Sequence, residues 1–433
     1  MTLPQAVALT VLVAVVVALI WGRLRSDVVA LTGAAVLLGT RTVRPVEVEA
    51  AFASPAIIAL ASLFVIAYAM ELSGLLGWLV GRAIRLCARL GAAGVWLVIV
   101  ICGGISGFLN NTPIVVLAAP VVRDMALSQG LPPRRFLIPL SYVTILGGCC
   151  TLIGTSTNLL VNDMARNTGQ PAFGMFETTP VALILAAAGG LYLFLFGGRL
   201  LTAPPAAGGE PPEALPERVR DAAGDDPALV PTAVPLRPLP ALASLAVFVA
   251  VVGIAALGWA PIAASAFSGA VLLVLLRVIS ADDAYKGLRP DILLLIAGMV
   301  VVGLSLEVTG LAAAATNALA VWVKALGPLT ALALLYGATL VLTEILSNAA
   351  VAVLLTPVAV ALAQSLGVNP RPFLVGVMMA ASAAFATPFG YQTNVLVYRL
   401  GRYSYMDFVR IGLPLNLLTW AIGVAVIPVF FPF

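Results

Sequence analysis

Ser106-Gly107-Phe108-Leu109-Asn110-Asn111-Thr112-Pro113 interrupts a run from Leu90 to Val122 that carries no charged side chain. Leu346-Ser347-Asn348-Ala349-Ala350 interrupts the matching stretch of the second half, and a second polar break follows in each half: Gly154-Thr155-Ser156-Thr157-Asn158 and Gly390-Tyr391-Gln392-Thr393-Asn394. Subtraction makes the repeat explicit. Glu71-Leu72-Ser73-Gly74-Leu75 matches Glu307-Val308-Thr309-Gly310-Leu311, Asn111 matches Asn348, Pro120 matches Pro357, Phe136-Leu137 matches Phe373-Leu374, and Gly154 and Asn158 match Gly390 and Asn394, always at an offset of 236 or 237. The chain reads as two homologous halves, 1–198 and 240–433, joined by a connector over 199–239.

Of the 433 residues 61% are hydrophobic and 10% charged, which excludes a soluble globular protein and indicates a polytopic membrane protein. The net charge of +4 does not point to nucleic acid, because the basic residues fall in short loops where membrane topology accounts for them. No histidine is present, and Cys87, Cys102, Cys149 and Cys150 have no metal-ligand spacing, so the cysteines read as small buried hydrophobes. No nucleophile–base pair or metal set is visible, and an enzyme is not expected. The first apolar run has basic residues after it, Arg23 and Arg25, and none before it, which reads as a retained helix.

Ten spans are expected, at 4–21, 26–40, 55–78, 136–160 and 180–197, then 240–258, 261–277, 291–313, 373–398 and 411–431. Between the third and fourth of each half lies an apolar stretch, about 93–122 and 328–362, too long for one crossing and short for two. Each reads as a re-entrant helical hairpin with its polar tip at membrane depth. Arg82, Arg85, Arg89, Arg123, Arg134 and Arg135 flank the first hairpin, against Lys324 and Arg371 around the second. The first hairpin then enters from the cytoplasm, the second from outside, and both termini lie outside. This is an all-α fold of two inverted repeats, each of five transmembrane helices with a hairpin and an unwound helix, near 154–158 and 386–394. The connector, rich in Pro, Ala, Gly, Glu and Arg, reads as a cytoplasmic linker, and Arg82 to Arg89 as an amphipathic surface helix.

Asn, Ser and Thr at such breaks can cap helices, or they can line a site in which N–H groups meet an anion and carbonyls and hydroxyls meet a cation. Four breaks repeated across two halves favour the site. Phe136 to Asn162 and Pro372 to Tyr398 are also free of charge, and Glu344 is the one charge between Lys324 and Arg371. A bound anion therefore has no basic side chain in these segments to neutralise it, and helix dipoles offer only about half a charge each. Co-bound cations would have to do so. Glu71 and Glu307 read as end-of-helix anchors; Glu344, whose counterpart is Gly107, either stabilises the second hairpin or tunes a cation site.

These residues resemble the divalent anion:sodium symporters of dicarboxylates and sulfate, whose mark is a Ser-Asn-Thr motif at each of two hairpin tips. Asn110-Asn111-Thr112 and Ser347-Asn348-Ala349 are similar to those tips. The resemblance implies one sodium at Ser106, Asn111 and carbonyls near Gly154, and a second at Thr343, Asn348 and carbonyls near Gly390. It implies an anion between the tips, against Asn110, Asn111, Thr112, Ser347, Asn348 and Thr155, with Ala349 where the family has threonine. It further implies an elevator motion and a homodimer in a lipid bilayer, the bacterial inner membrane. Ser156-Thr157 and Gln392-Thr393 replace the proline pairs of dicarboxylate carriers, so sulfate is expected ahead of a C4-dicarboxylate. The rival within transport is a proton-coupled or antiporting relative, such as a sodium/proton exchanger or an arsenite extruder.

Overall fold

Apolar runs punctuated by proline and glycine fold as helices, and no strand occurs among the described residues. The computed structural model describes residues 2–21, 23–87, 90–201, 234–311, 314 and 327–433. In the first half the helices are α1 (Leu3–Trp21), α2 (Ser26–Gly39), α3 (Pro45–Phe52), α4 (Pro55–Leu72), α5 (Leu75–Cys87), α6 (Gly91–Ser106), α7 (Asn111–Ser128), α8 (Arg134–Gly148), α9 (Ser156–Asn167) and α10 (Thr179–Tyr192). The last runs on through a π turn at Leu193–Gly197. The second half has α11 (Pro238–Ala256), α12 (Ile262–Leu275), α13 (Ala281–Gly287), α14 (Pro290–Val308), α15 (Pro328–Thr343), α16 (Asn348–Leu366), α17 (Arg371–Ser382), α18 (Gln392–Leu400) and α19 (Tyr405–Phe430). Proline in the first turn starts α3, α4, α11, α14 and α15, where its missing N–H costs nothing.

Six segments among the described residues are long and apolar enough to cross a membrane: 45–72, 179–197, 238–256, 290–308, 348–366 and 405–430. The protein is a multi-pass membrane protein. The helices sort by packing into two groups. One holds α1–α4 with α11–α14, the other α6–α10 with α15–α19. Contacts between the halves come in exchanged couples: α2 on α14 and α12 on α4, α9 on α16 and α18 on α7, α8 on α18 and α17 on α9. Such exchange is what a two-fold relation between the halves produces.

α8 and α17 lie at the centre of the second group. Every residue from Phe136 to Tyr142 and from Pro372 to Ser382 is buried, so these stretches are enclosed on all faces. Close approach fixes their neighbours. A Cβ placed on Gly147 of α8 would stand 2.0 Å from the carbonyl oxygen of Gly103 on α6.

Several expected boundaries are corrected. The span 55–78 ends at Leu72, because Gly74 (φ 74°) turns the chain and starts a separate α5. The same turn recurs at Gly310 (φ 71°), which places Glu71 and Glu307 in the last turns of α4 and α14. The spans 136–160 and 373–398 are each two helices. The breaks lie at 149–155 and 383–391, upstream of the expected 154–158 and 386–394, because Ser156 and Gln392 already begin α9 and α18. The hairpin expectations of 93–122 and 328–362 correspond to α6 with α7 and α15 with α16. At 16 residues each, α6 and α15 are only about 24 Å long, short of the hydrocarbon core. Short α3 and α13 were not anticipated. The connector between 202 and 233, the region of Lys324 and the side chains of Arg85 and Arg89 lie outside what the structure describes. Cys102 and Cys149 are buried and free, as expected.

Gly147→Ala is therefore expected to drive α6 and α8 apart, costing more than the ~1–3 kcal/mol typical of overpacking. A lower thermal unfolding midpoint of the detergent-purified protein would show it, and an unchanged midpoint would contradict this packing.

Candidate functional site

The two hairpin tips carry the same bond. Ser106 ends α6 and its hydroxyl donates to Asn111 Oδ1 at the start of α7. Thr343 ends α15 and donates to Asn348 Oδ1 at the start of α16, at 2.8 Å. Both hydroxyls are fully buried, and Asn111 and Asn348 nearly so. Asn110 and Ser347 take the N-cap positions of α7 and α16, accepting from Thr112 N and Ala350 N at 3.3 Å each. Capping is thus the contact these two side chains make.

Each tip is tied to its own broken helix by a threonine. Thr151 Oγ1 donates to the carbonyl of Gly107 and accepts from Gly154 N at 3.1 Å. Thr387 Oγ1 bonds the carbonyl of Glu344 at 3.3 Å and accepts from Gly390 N at 3.2 Å. Asparagines hold the freed carbonyls: Asn158 Nδ2 donates to Cys149 O (3.3 Å) and Thr151 O (2.9 Å), Asn394 Nδ2 to Ala384 O (2.8 Å) and Thr387 O (3.3 Å). Neither threonine was singled out beforehand, although Thr151 and Thr387 match at the same offset of 236.

Three carbonyl oxygens converge at Gly154. A Cβ there would lie 2.4, 2.6 and 2.8 Å from the carbonyl oxygens of Gly148, Gly107 and Ser106. Asn111 Oδ1 is on the same side, 2.6 Å from the Cβ position of Gly148. Ser106, Asn111 and Gly154, expected together, are brought together, and a converging set of neutral oxygens is the donor set of a hard cation. At the second half Thr343 Oγ1 also reaches Ala381 O at 2.6 Å. Gly390 is near Thr387 Oγ1 and Thr343 O, at 3.1 and 3.4 Å from its Cβ position, but Ala384 Cβ intrudes at 2.8 Å where the first half has Gly148. The second cluster has a side-chain carbon where the first has only oxygens.

Between the halves, Asn111 Nδ2 donates to Tyr391 Oη at 3.1 Å and Thr112 Oγ1 to Gln392 Oε1 at 3.3 Å. Tyr391 is the counterpart of Thr155, which is buried and whose hydroxyl donates to Thr157 Oγ1 at 3.3 Å. Asn348 Nδ2 is buried and has no hydrogen-bond partner among the described residues. Ala349 lies half-buried in the first turn of α16. Tyr391 and Gln392 were not assigned from sequence, since what brings them to Asn111 and Thr112 is packing of α18 on α7.

Glu344 braces the second break. Its Oε1 accepts from Ala386 N and Asn416 Nδ2, both at 2.7 Å, and its Oε2 from Thr387 N and Thr387 Oγ1, both at 2.8 Å. Of the two roles open to it, these are the contacts of a stabiliser. Gly107, its counterpart, is tightly enclosed, with Gly104 O and Gly147 O each 3.3 Å from its Cβ position. Glu344→Ala leaves two backbone N–H groups and an amide without an acceptor and is expected to cost about 3 kcal/mol or more. Glu344→Gln, which keeps an acceptor, should cost less; equal thermal midpoints for the two variants would contradict the bracing role.

The family described as a citrate transporter, CitMHS, matches residues 16–367 and 345–433. An uncharacterised transporter of Synechocystis is 26% identical over 583 aligned positions, covering 96% of this chain and 95% of that protein. Sodium/sulfate cotransporter 1 of Chlamydomonas reinhardtii is 37% identical over 157 residues, 36% of this chain and 18% of its own. The sodium-dependent dicarboxylate transporter SdcS of Staphylococcus saprophyticus is 29% identical over 151 residues, 35% of this chain and 29% of its own. In structure the chain is similar to the YdaH transporter of Alcanivorax borkumensis, with a TM-score of 0.59 and 16% identity over 96% of this chain and 98% of that one. That likeness is one of fold.

Proposed function

The chain belongs to the CitMHS citrate transporter family, among the divalent anion:sodium symporters, and from that premise we propose that it imports a small divalent anion by sodium symport. Sulfate is placed ahead of C4-dicarboxylates. The observation that carries this reading is the oxygen cluster at Gly154, built from the carbonyls of Ser106, Gly107 and Gly148 with Asn111 beside them. No charged side chain belongs to it, so a bound cation would bring net positive charge to the site, and a bound anion would find its neutralisation there.

In this reading one sodium is held by Ser106, Asn111 and the carbonyls around Gly154. The other is held by Thr343, Asn348 and the carbonyls around Gly390. The anion lies between the tips, where Asn348 Nδ2 has no protein partner; Asn110, Asn111, Thr112, Thr155, Ser347 and Ala349 complete its surroundings. The helix N-termini of α7 and α16 favour negative charge. The exchanged contacts between halves support inverted repeats over 1–198 and 240–433, joined by a cytoplasmic linker at 199–239. The two packing groups support an elevator, with α6–α10 and α15–α19 moving against α1–α4 and α11–α14. We place the protein in a bacterial inner membrane as a homodimer with both termini outside.

The test is uptake of radiolabelled sulfate into proteoliposomes with and without an inward sodium gradient, competed by succinate and citrate. Sodium-driven uptake is expected, and loss of competition by succinate would fix the substrate as inorganic. Uptake driven by a proton gradient and indifferent to sodium would turn the reading to the proton-coupled rival. Asn111→Ala and Asn348→Ala should each abolish uptake with expression retained; wild-type sodium dependence in both would refute the site.

A further inference from the structure

Two ion pairs outside the site are copies of one another, crossed between the halves. Arg134 at the start of α8 pairs with Asp407 at the start of α19, Nη2 to Oδ2 2.6 Å, and lies 5.3 Å over the ring of Tyr403. Arg371 at the start of α17 pairs with Glu177, two residues before α10, and lies 4.1 Å over the ring of Phe173. The two arginines match at the repeat offset of 237, each two positions before a Phe-Leu pair.

The acceptors match as well. Asp407 takes the N–H of Ser404 at 2.7 Å, and Glu177 takes that of Gly174 at 2.8 Å, three residues upstream in each case. The stacking ring stands four residues before each acid, Tyr403 and Phe173. Backbone bonds anchor both corners: the Tyr403 hydroxyl donates to the carbonyl of Arg134 and accepts from Ile138 N at 3.2 Å, and Arg371 Nη1 donates to Pro171 O at 3.1 Å. Each half gives one arginine and receives one.

The pairs stand at opposite ends of α8. Arg134 begins that helix, whereas Thr179, two residues after Glu177, donates to Cys150 O just beyond its far end, at 2.5 Å. Fifteen helical residues separate those ends by about 22 Å, so the pairs stand at opposite ends of the packed group. Symmetric ion pairs at opposite mouths of a transporter invite reading as alternating gates. Gates of that kind open in turn and are closed together only while the site is occluded. Here both are closed at once.

Their partners also belong to one packed body. α10 packs on α19 and on α8, α17 packs on α19, and Tyr192 of α10 donates to Ile411 O of α19 at 3.2 Å. We infer that Arg134–Asp407 and Arg371–Glu177 are permanent clamps rather than gates. They lock the last helix of each half to the broken helix of the other, so that both breaks keep their register while the body moves. The inference rests on the elevator reading and makes the two arginines positioning residues, remote from the ions and the anion.

The test uses the full chain in proteoliposomes, with Cys87, Cys102, Cys149 and Cys150 replaced by alanine. Into this background go two pairs, Arg134→Cys with Asp407→Cys and Arg371→Cys with Glu177→Cys. Each is bridged by a short bis-methanethiosulfonate, because an ion pair leaves the backbones too far apart for a direct disulfide. The probes are radiolabelled sulfate, succinate and citrate under a sodium gradient. Bridged protein is expected to keep at least half the uptake of the same variant unbridged. A fall below half that recovers on reduction, at either pair, marks a gate and overturns the inference. A second arm covers variants that do not fold: Arg371→Glu with Glu177→Arg should recover the uptake and thermal midpoint lost in each single reversal, and failure to recover either overturns the ion pair as the clamp. Absence of uptake by the unmodified parent for all three probes overturns the transport reading, and the clamp with it.

Discussion

A helix broken within a bilayer frees backbone groups that no water satisfies, and the rest of this structure depends on how those groups are met. Asn158 and Asn394 each reach back across the break to two carbonyls, and Thr151 and Thr387 tie each break to a hairpin tip. These side chains satisfy part of the demand. At Gly154, between α6 and α8, three carbonyl oxygens converge with the Thr151 hydroxyl on one of them, an excess of oxygen over side-chain donor. An excess of that kind suits a cation, and glycine at 107, 148 and 154 keeps side chains out of its way.

The repeat supplies this arrangement twice, and the differences between its copies are informative. Where the first half has Gly107, the second has Glu344, whose carboxylate takes four donors and stitches the hairpin tip to the break and to α19. Where the first half has Gly148, the second has Ala384, which narrows the space beside Gly390. Tyr391 reaches Asn111 across the halves, whereas the equivalent donor of Asn348 has no partner. The two sides of the proposed site are therefore related but unequal. The first offers open oxygens, the second a braced cluster and a spare N–H.

Much of this was legible in the sequence, because a repeat leaves the same polar residues at the same spacing and an apolar chain makes every polar residue conspicuous. The succession of helices and the two interrupted hairpins could be read there, and the grouping of Ser106 with Asn111 and Thr343 with Asn348 followed from the family resemblance. The breaks were placed too far downstream for a physical reason. Ser156-Thr157-Asn158 and Gln392-Thr393-Asn394 look like loop, yet they form the first helical turns of α9 and α18, with Asn158 and Asn394 turned back to serve the carbonyls behind them. Contacts made across the halves, such as Asn111 to Tyr391 and Arg134 to Asp407, leave no local trace and come only from packing. Arg134 and Arg371 were visible as topology signals, while their partners were not.

The central claim, that the polar breaks hold sodium, is tested most directly by thermal unfolding of the purified protein in sodium chloride against choline chloride at equal ionic strength. A ligand that binds only the folded state raises stability by about 2.7 kcal/mol at a hundred times its dissociation constant. The account predicts that sodium raises the unfolding midpoint where choline does not, and that the response shrinks in Asn111→Ala and vanishes when Asn348→Ala is added. Equal midpoints in the two salts, or a sodium response that survives both substitutions, would contradict it.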